Sequence, residues 1–179
     1  MVDELALFIR DDEYLDRESY VASREILIML ELDIHIHSYF SHDSFQSPEK
    51  ICQIASKRGL DGIAITDHDH FTPPSELPDT DLITIPGMEI YTKDHGDLLA
   101  LFINDEIKSR EFECAVDEIH SQGGIAILPH PYRKQQQYPE KILTDVDAIE
   151  GLNARSKEEW NQKSQSLAEE FKLPKTGGS

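Results

Sequence analysis

The chain has 179 residues, and its 17 Lys and Arg against 35 Asp and Glu leave a formal net charge of −18 at pH 7. With 39% hydrophobic and 29% charged residues it is apolar enough for a core, which excludes a disordered chain, and acidic enough to exclude a nucleic-acid binder working through a basic surface. No apolar run reaches the roughly 20 residues that cross a bilayer, and the acidic opening MVDELALFIRDDEY is unlike a signal peptide, so a cytoplasmic location is expected.

Residues 1–29 form an extension without a readable role, in which LALFI suits a strand and the following Glu- and Arg-rich stretch a short helix. From residue 30 to 179 a single domain alternates short apolar strands with amphipathic helices. LELDIHIH, from about Leu30 to His37, is the first strand. A helix follows in SPEKICQIASKRG, with Ser47 as N-cap, Pro48 in its first turn, Ile51, Ile54 and Ala55 on one face and Gly59 as the stop. The strand DGIAIT ends at Thr66. After a loop carrying Pro73, Pro74 and Pro78 come LITI, GMEIY and the strand DLLALFI. Phe112, Val116 and Ile119 mark a second helix, closed by Gly123 and Gly124 before the strand IAIL. VDAIEGL is a sixth strand. A last helix holds Trp160, Leu167 and Phe171, with Ser156 and Glu159 spaced as a capping box. Cys52 and Cys114 lie far apart without C-x-x-C spacing, so both are expected to be buried thiols.

Alternating β and α units with near-continuous apolar strands predict a parallel sheet covered by helices, and an α/β barrel is preferred over an open doubly wound sheet. In barrels the chemistry sits past the carboxyl ends of the strands. There this chain places Asp33-x-His35-x-His37, then Asp67-His68-Asp69-His70, then Glu89, then His130 in LPHP. Residues i and i+2 of a strand face the same way, so His35 and His37 can point together while Ile34 and Ile36 pack on the other side. Imidazole and carboxylate together suit Zn, Mn or Fe better than Ca or Mg, and Glu89 can bridge two cations. One His-x-His pair alone is commonly surface decoration, but two pairs at consecutive strand ends favour a metal centre. Taken singly, Asp33 and Asp67 also suit turn caps and Glu89 a surface position. His42, His95 and His120 read as structural, while Asp43 is evenly balanced between a ligand and a loop residue.

These motifs resemble a known family. D-x-H-x-H-S, G-L-D-G-I-A-I-T-D-H, P-G-M-E-I and G-G-I-A-I-L-P-H-P are similar to those of the polymerase and histidinol phosphatase (PHP) family of metal-dependent phosphoesterases, in its order and across nearly all of residues 31–179. The resemblance implies a distorted (β/α)7 TIM-like barrel holding up to three divalent metal ions. On matching positions, His35 and His37 would bind one metal with Glu89, Asp43 and His68 a second, and Glu89 with His130 a third. The chain departs from the pattern at Gly96-Asp97, where the family often has Gly-His, leaving Asp97 or His95 as the replacement. After PKTGGS the family continues into Asp-x-His. The chain stops at Ser179, so the resemblance implies a truncated barrel lacking its last strand and two ligands, with reduced activity.

The chemistry implied is hydrolysis of a phosphate ester by a metal-activated water. No Cys-His or Ser-His-Asp constellation suggests a covalent route. Asp67 is a candidate to orient a ligating imidazole, His70 to protonate the leaving group, and Arg133 and Arg155 to clamp phosphate. The acidic charge favours a small phosphorylated metabolite or short nucleotide over long nucleic acid, and no membrane is involved. Two other readings compete: a non-catalytic metal-binding or regulatory domain of the same fold, and an amidohydrolase-type barrel, which the absence of a strand lysine disfavours.

Overall fold

The computed structural model describes residues 29–133 and 137–179. The strand and helix expected within the N-terminal extension lie outside the described residues.

Among the described residues, seven strands form one sheet in sequence order: β1 (Leu32–Ile36), β2 (Gly62–Ile65), β3 (Ile83–Thr92), β4 (Gly96–Leu101), β5 (Ile125–Leu128), β6 (Ala148–Asn153) and β7 (Lys175–Gly178). LITI and GMEIY are thus parts of one long strand. The sheet nearly closes, because the Ser179 N–H just past β7 donates to the His35 carbonyl at 3.2 Å. Two expectations are corrected. A seventh strand is present, paired in parallel with β6, where the resemblance implied its loss. The sheet is also not wholly parallel, since β4 runs antiparallel to both β3 and β5. Only Lys93, Asp94 and His95 separate β3 from β4, too few for a parallel crossover, which needs about a dozen residues. Reversing β4 brings its first residues, Gly96 and Asp97, to the end of the barrel where its neighbours finish.

Helix α1 (Pro48–Arg58) forms as its sequence predicts: Ser47 accepts the Lys50 N–H at its start, and Gly59 ends it at φ 80°. Helix α2 (Phe112–Ser121) is also as expected, with Asp94 accepting the Phe112 N–H at 3.0 Å. Helix α3 (Glu140–Asp145) was not foreseen; six residues are too short to show a period. Helix α4 (Glu158–Phe171) starts without the capping box, because the Ser156 hydroxyl donates to Asn153 Oδ1 and Lys157 takes the cap position. Cys52 is buried but Cys114 is exposed, against expectation. Among the described residues no helix is long and apolar enough to cross a membrane.

The alternation along each strand sorts its side chains. Ile34, Ala64, Ile85, Leu99, Leu101, Ile127 and Ala148 pack together as the barrel interior. Ile63 and Ile65 pack outward on α1, and Met88, Ile90 and Leu98 outward with Phe112, Ile119 and Ala168. Following the interior series upward gives Thr66 and His68 after Ala64, Glu89 after Ile85, and Glu150 after Ala148, so a polar layer sits on an apolar floor. Strand β1 would break the series were it regular. Its pairing with β2 runs Asp33 to Ile63 and then Ile36 to Ile65, an irregularity that inserts one residue. Such a bulge re-aims side chains. Ile34 therefore packs in the interior and Ile36 against the α1 layer, correcting the expectation that they share a face.

Strand β7 reaches this layer through glycine. A methyl group built on Gly178 would collide with the Cβ of His35 and lie 2.8 Å from Glu150 Oε1. Because Cβ cannot swing away as a side-chain tip can, Gly178→Ala is expected to destabilise the protein by about 1–3 kcal/mol in urea unfolding.

Candidate metal centre

Glu89 is completely buried, held by β3 among strands that each end in a donor. A single parallel bridge between His68 and Glu89 extends the β2–β3 ladder past β2, fixing these residues side by side. Around its carboxylate stand four imidazoles. Oε2 lies 2.9 Å from His37 Nε2, 3.1 Å from His68 Nδ1 and 3.4 Å from His35 Nε2, and Oε1 lies 3.1 Å from His130 Nε2. The far sides of two rings meet further acids: His37 Nδ1 is 2.9 Å from Asp43 Oδ1, and His35 Nδ1 is 2.9 Å from Glu150 Oε1. All six ligands expected from the sequence, His35, His37, Asp43, His68, Glu89 and His130, therefore converge.

Among the described residues, four triads have donor atoms within 4.8 Å of one another: His35–His37–Glu89, His37–Asp43–His68, Glu89–Asp97–His130 and His35–His130–Glu150. The first has the composition the resemblance implies, and the second adds His37 to the expected Asp43 and His68. In the third, Asp97 rather than His95 is the additional donor, because His95 instead packs edge-on to Phe112. Glu150 escaped the sequence reading. The signal was there: an acid inside the otherwise apolar AIEGL, as Glu89 is in PGMEI.

The donors fit divalent cations. His37 Nε2 and Glu89 Oε2 are buried without a hydrogen-bond partner although they face each other. Leaving such groups unmatched costs roughly 1–3 kcal/mol each, and a cation placed between them satisfies both. Mixed imidazole and carboxylate donors are those that zinc, manganese and iron accept.

Without a cation, burial and the neighbouring charges pull these groups in different directions. Burial pulls the His35 imidazole down, but Glu150 and Glu89 overcome it and raise it to about 10. Burial likewise opposes His37, which Glu89 raises above the ordinary histidine value. For His68 burial wins, and its pKa falls. Burial would lift Glu89, yet His130, His35 and His37 hold it well below the carboxylate range. Glu150 is lowered against burial by His35 and His130, and Asp43 is brought to about 2 by His37 and Arg155.

The remaining candidates lie around this cluster. Asp67 does not contact an imidazole: its buried carboxylate accepts the Ser38 N–H at 2.6 Å and the Ser38 hydroxyl at 2.7 Å, pinning the loop after β1. His70 stacks on Phe40 with ring centroids 4.6 Å apart. Arg155 Nη1 donates to Asp43 Oδ2 at 2.8 Å. Arg133 and Arg155 join His35, His37, Asp43 and Asn153 in lining a cavity of about 280 Å³. His42 stacks on His68, and His120 pairs with Asp147 on the surface. Asp33 accepts the His35 N–H at 3.3 Å.

A family model described as the PHP domain matches residues 33–166. The chain belongs to the PHP family. An uncharacterized protein of Methanocaldococcus jannaschii is 32% identical over 142 residues, covering 70% of this chain and 82% of that protein. Solved structures with the same fold include a two-domain protein from Bacteroides vulgatus containing a predicted PHP-like metal-dependent phosphoesterase, at TM-score 0.68 and 21% identity. The match covers 84% of this chain but 51% of that one, so this chain spans about half its length. A proposed metal-dependent phosphoesterase from Bifidobacterium adolescentis matches at 0.68 and 17%, over 84% and 87% of the two chains. An amidohydrolase from Chromobacterium violaceum, with bound sulfate and no metal, matches at 0.68 and 16%, over 83% and 86%. At these identities the three structures speak to the fold alone.

The metal-free PHP domain should carry a pH signature. His35 has its folded pKa raised from 6.5 to about 10, so its contribution to stability is full below pH 6.5 and is lost as pH rises through about 10. Asp43 is depressed from 3.8 to about 2, so its contribution holds above 3.8 and is lost as pH falls through about 2. Urea midpoints of chelator-treated protein are expected to decline from pH 6.5 to 10, and His35→Ala is expected to flatten that decline.

Proposed function

We propose that this PHP domain is a metal-dependent phosphoesterase that hydrolyses the phosphate ester of a small metabolite or short nucleotide. The observation that carries this reading is the convergence of four imidazoles on the buried Glu89 carboxylate, beside a cavity lined by Arg58, Arg133 and Arg155. When bound, divalent cations there lower the pKa of a water and neutralise charge developing on phosphoryl and leaving-group oxygens. His35, His37, Asp43, His68, Glu89 and His130 would hold them, with Asp97 as a further donor. Zinc, manganese and iron are the candidates.

The chain's other residues bind and orient. Arg155, fixed by Asp43, and Arg133 are placed to hold phosphoryl oxygens, since a guanidinium offers paired donors matched to them. His70, half-buried against Phe40, is the proposed donor of a proton to the leaving oxygen. Asp67 acts on the site through Ser38, by holding the loop that carries Asp43. A cavity of about 280 Å³ suits a small ligand, and the net charge of −18 opposes long nucleic acid.

The test combines elemental analysis with a phosphoester panel. The His35→Ala/His37→Ala double variant should lose bound metal and fall to background turnover while its circular dichroism stays folded; unchanged metal content would reject the assignment. Wild-type protein that binds metal but turns over no phosphoester would make the non-catalytic metal-binding reading the better one. Loss of one charged hydrogen-bonding group costs about 1.5–3 kcal/mol, so Arg155→Ala is expected to raise KM about 10- to 100-fold with little change in metal content.

A further inference from the structure

Among the described residues, Glu150 is the one buried carboxylate of the centre that neither the motifs nor the proposed chemistry uses. It is 1% exposed and sits at the top of β6, a strand away from His130 and across the barrel seam from His35. Both of its oxygens are engaged. Oε1 lies 2.9 Å from His35 Nδ1 and accepts the Asn153 side-chain amide at 3.2 Å; Oε2 accepts the His130 backbone N–H at 2.8 Å. Glu89 differs in this respect, since its Oε2 has no hydrogen-bond partner. A carboxylate whose lone pairs are spent on donors behind the imidazoles is built to hold those imidazoles rather than to ligate in front of them.

The two contacts do different things. An ionised carboxylate can only accept, so the Nδ1 of His35 carries the proton, and its Nε2 is the nitrogen presented to Glu89. A ring nitrogen fixed in this way by an acid behind it is a stronger and better-aimed ligand. His130 has a different difficulty: its φ is 29°, in a region that costs energy for a residue with a Cβ. Accepting its N–H stabilises that conformation, and the conformation turns its Nε2 onto Glu89 Oε1 at 3.1 Å. Gly178 completes the cradle, since only a residue without Cβ fits against both His35 and Glu150.

We propose that Glu150 is a positioning residue of the metal centre, aiming His35 through its ring and His130 through its backbone at the two oxygens of the Glu89 carboxylate. This rests on the metal-dependent reading above, and the experiment separates the two. Zinc affinity of the purified 179-residue chain is measured by chelator competition for wild type, Glu150→Gln and Glu150→Ala. In parallel, long-range 1H–15N imidazole spectra of the metal-free proteins are recorded.

The expected result is zinc binding weakened about 10- to 100-fold in both variants, with stoichiometry unchanged. The wild type should show a slowly exchanging Nδ1–H resonance of His35 that is lost in Glu150→Ala. Should that variant not fold, Glu150→Gln carries the test, since an amide nitrogen cannot accept and one of the two contacts must fail. Affinity within twofold of wild type, or a His35 Nδ1–H resonance that survives Glu150→Ala, overturns the proposal. So does the loss of one equivalent of zinc with the others unaffected, which would make Glu150 a ligand. If wild type binds none of zinc, manganese and iron, the metal-dependent reading fails, and the resonance alone decides whether Glu150 orients His35: its presence upholds the orientation and its absence overturns it.

Discussion

A carboxylate removed from water costs several kcal/mol unless charge and hydrogen bonds are brought to it, and Glu89 is removed from water entirely. Four imidazoles answer that cost, and they come from the ends of β1, β2 and β5. No neighbouring pair of strands could supply them. The barrel must curve until β1 and β5 face each other across β3, so the charge at Glu89 and the closure of the sheet depend on one another. The last link of that closure, from Ser179 to the His35 carbonyl, lies beside one of the four rings.

Two departures from a regular α/β barrel serve the same centre. In β1 the inserted residue changes which side chains face inward, so Ile34 contributes to the floor while His35 and His37 join the polar layer. In β4 the reversed direction puts Asp97, its second residue, among donors that follow the last residues of the other strands. A regular β1 would leave one of these side chains facing α1. A β4 parallel to its neighbours would carry Asp97 to the opposite end of the barrel.

The electrostatics divide in the same way. The chain carries a net charge of −18, whereas Arg58, Arg133 and Arg155 line the cavity where His35, His37 and Asp43 are found. Local positive charge inside an acidic molecule favours a small anion that can enter the cavity over a polyanion that must lie along the surface. Asp43 links the two regions, since one of its oxygens meets His37 and the other Arg155. A change at either partner is felt by the other through a single carboxylate.

Much of this was legible in the residues. Donors at strand ends are local features: a His-x-His after an apolar run, an acid after another, and a histidine between two prolines announce themselves by spacing alone. Helix α1 was equally readable, because Ser47, Pro48 and Gly59 act on the backbone within a few residues. Short elements were not, and α3, with six residues, shows why. The strand directions and the missing capping box were misread because pairing partners and competing acceptors, such as Asn153 for Ser156, lie elsewhere in the chain.

By itself the sequence determined the fold class, the six metal-ligand candidates and the acidic net charge, since each follows from residue type and short-range order. Tertiary structure decided the rest: that Asp97 rather than His95 joins the cluster, that Asp67 serves Ser38, and that Glu150 stands behind His35 and His130. Those facts depend on which side of a strand faces inward and which strand lies alongside, and both are set only when the whole sheet curves and nearly closes.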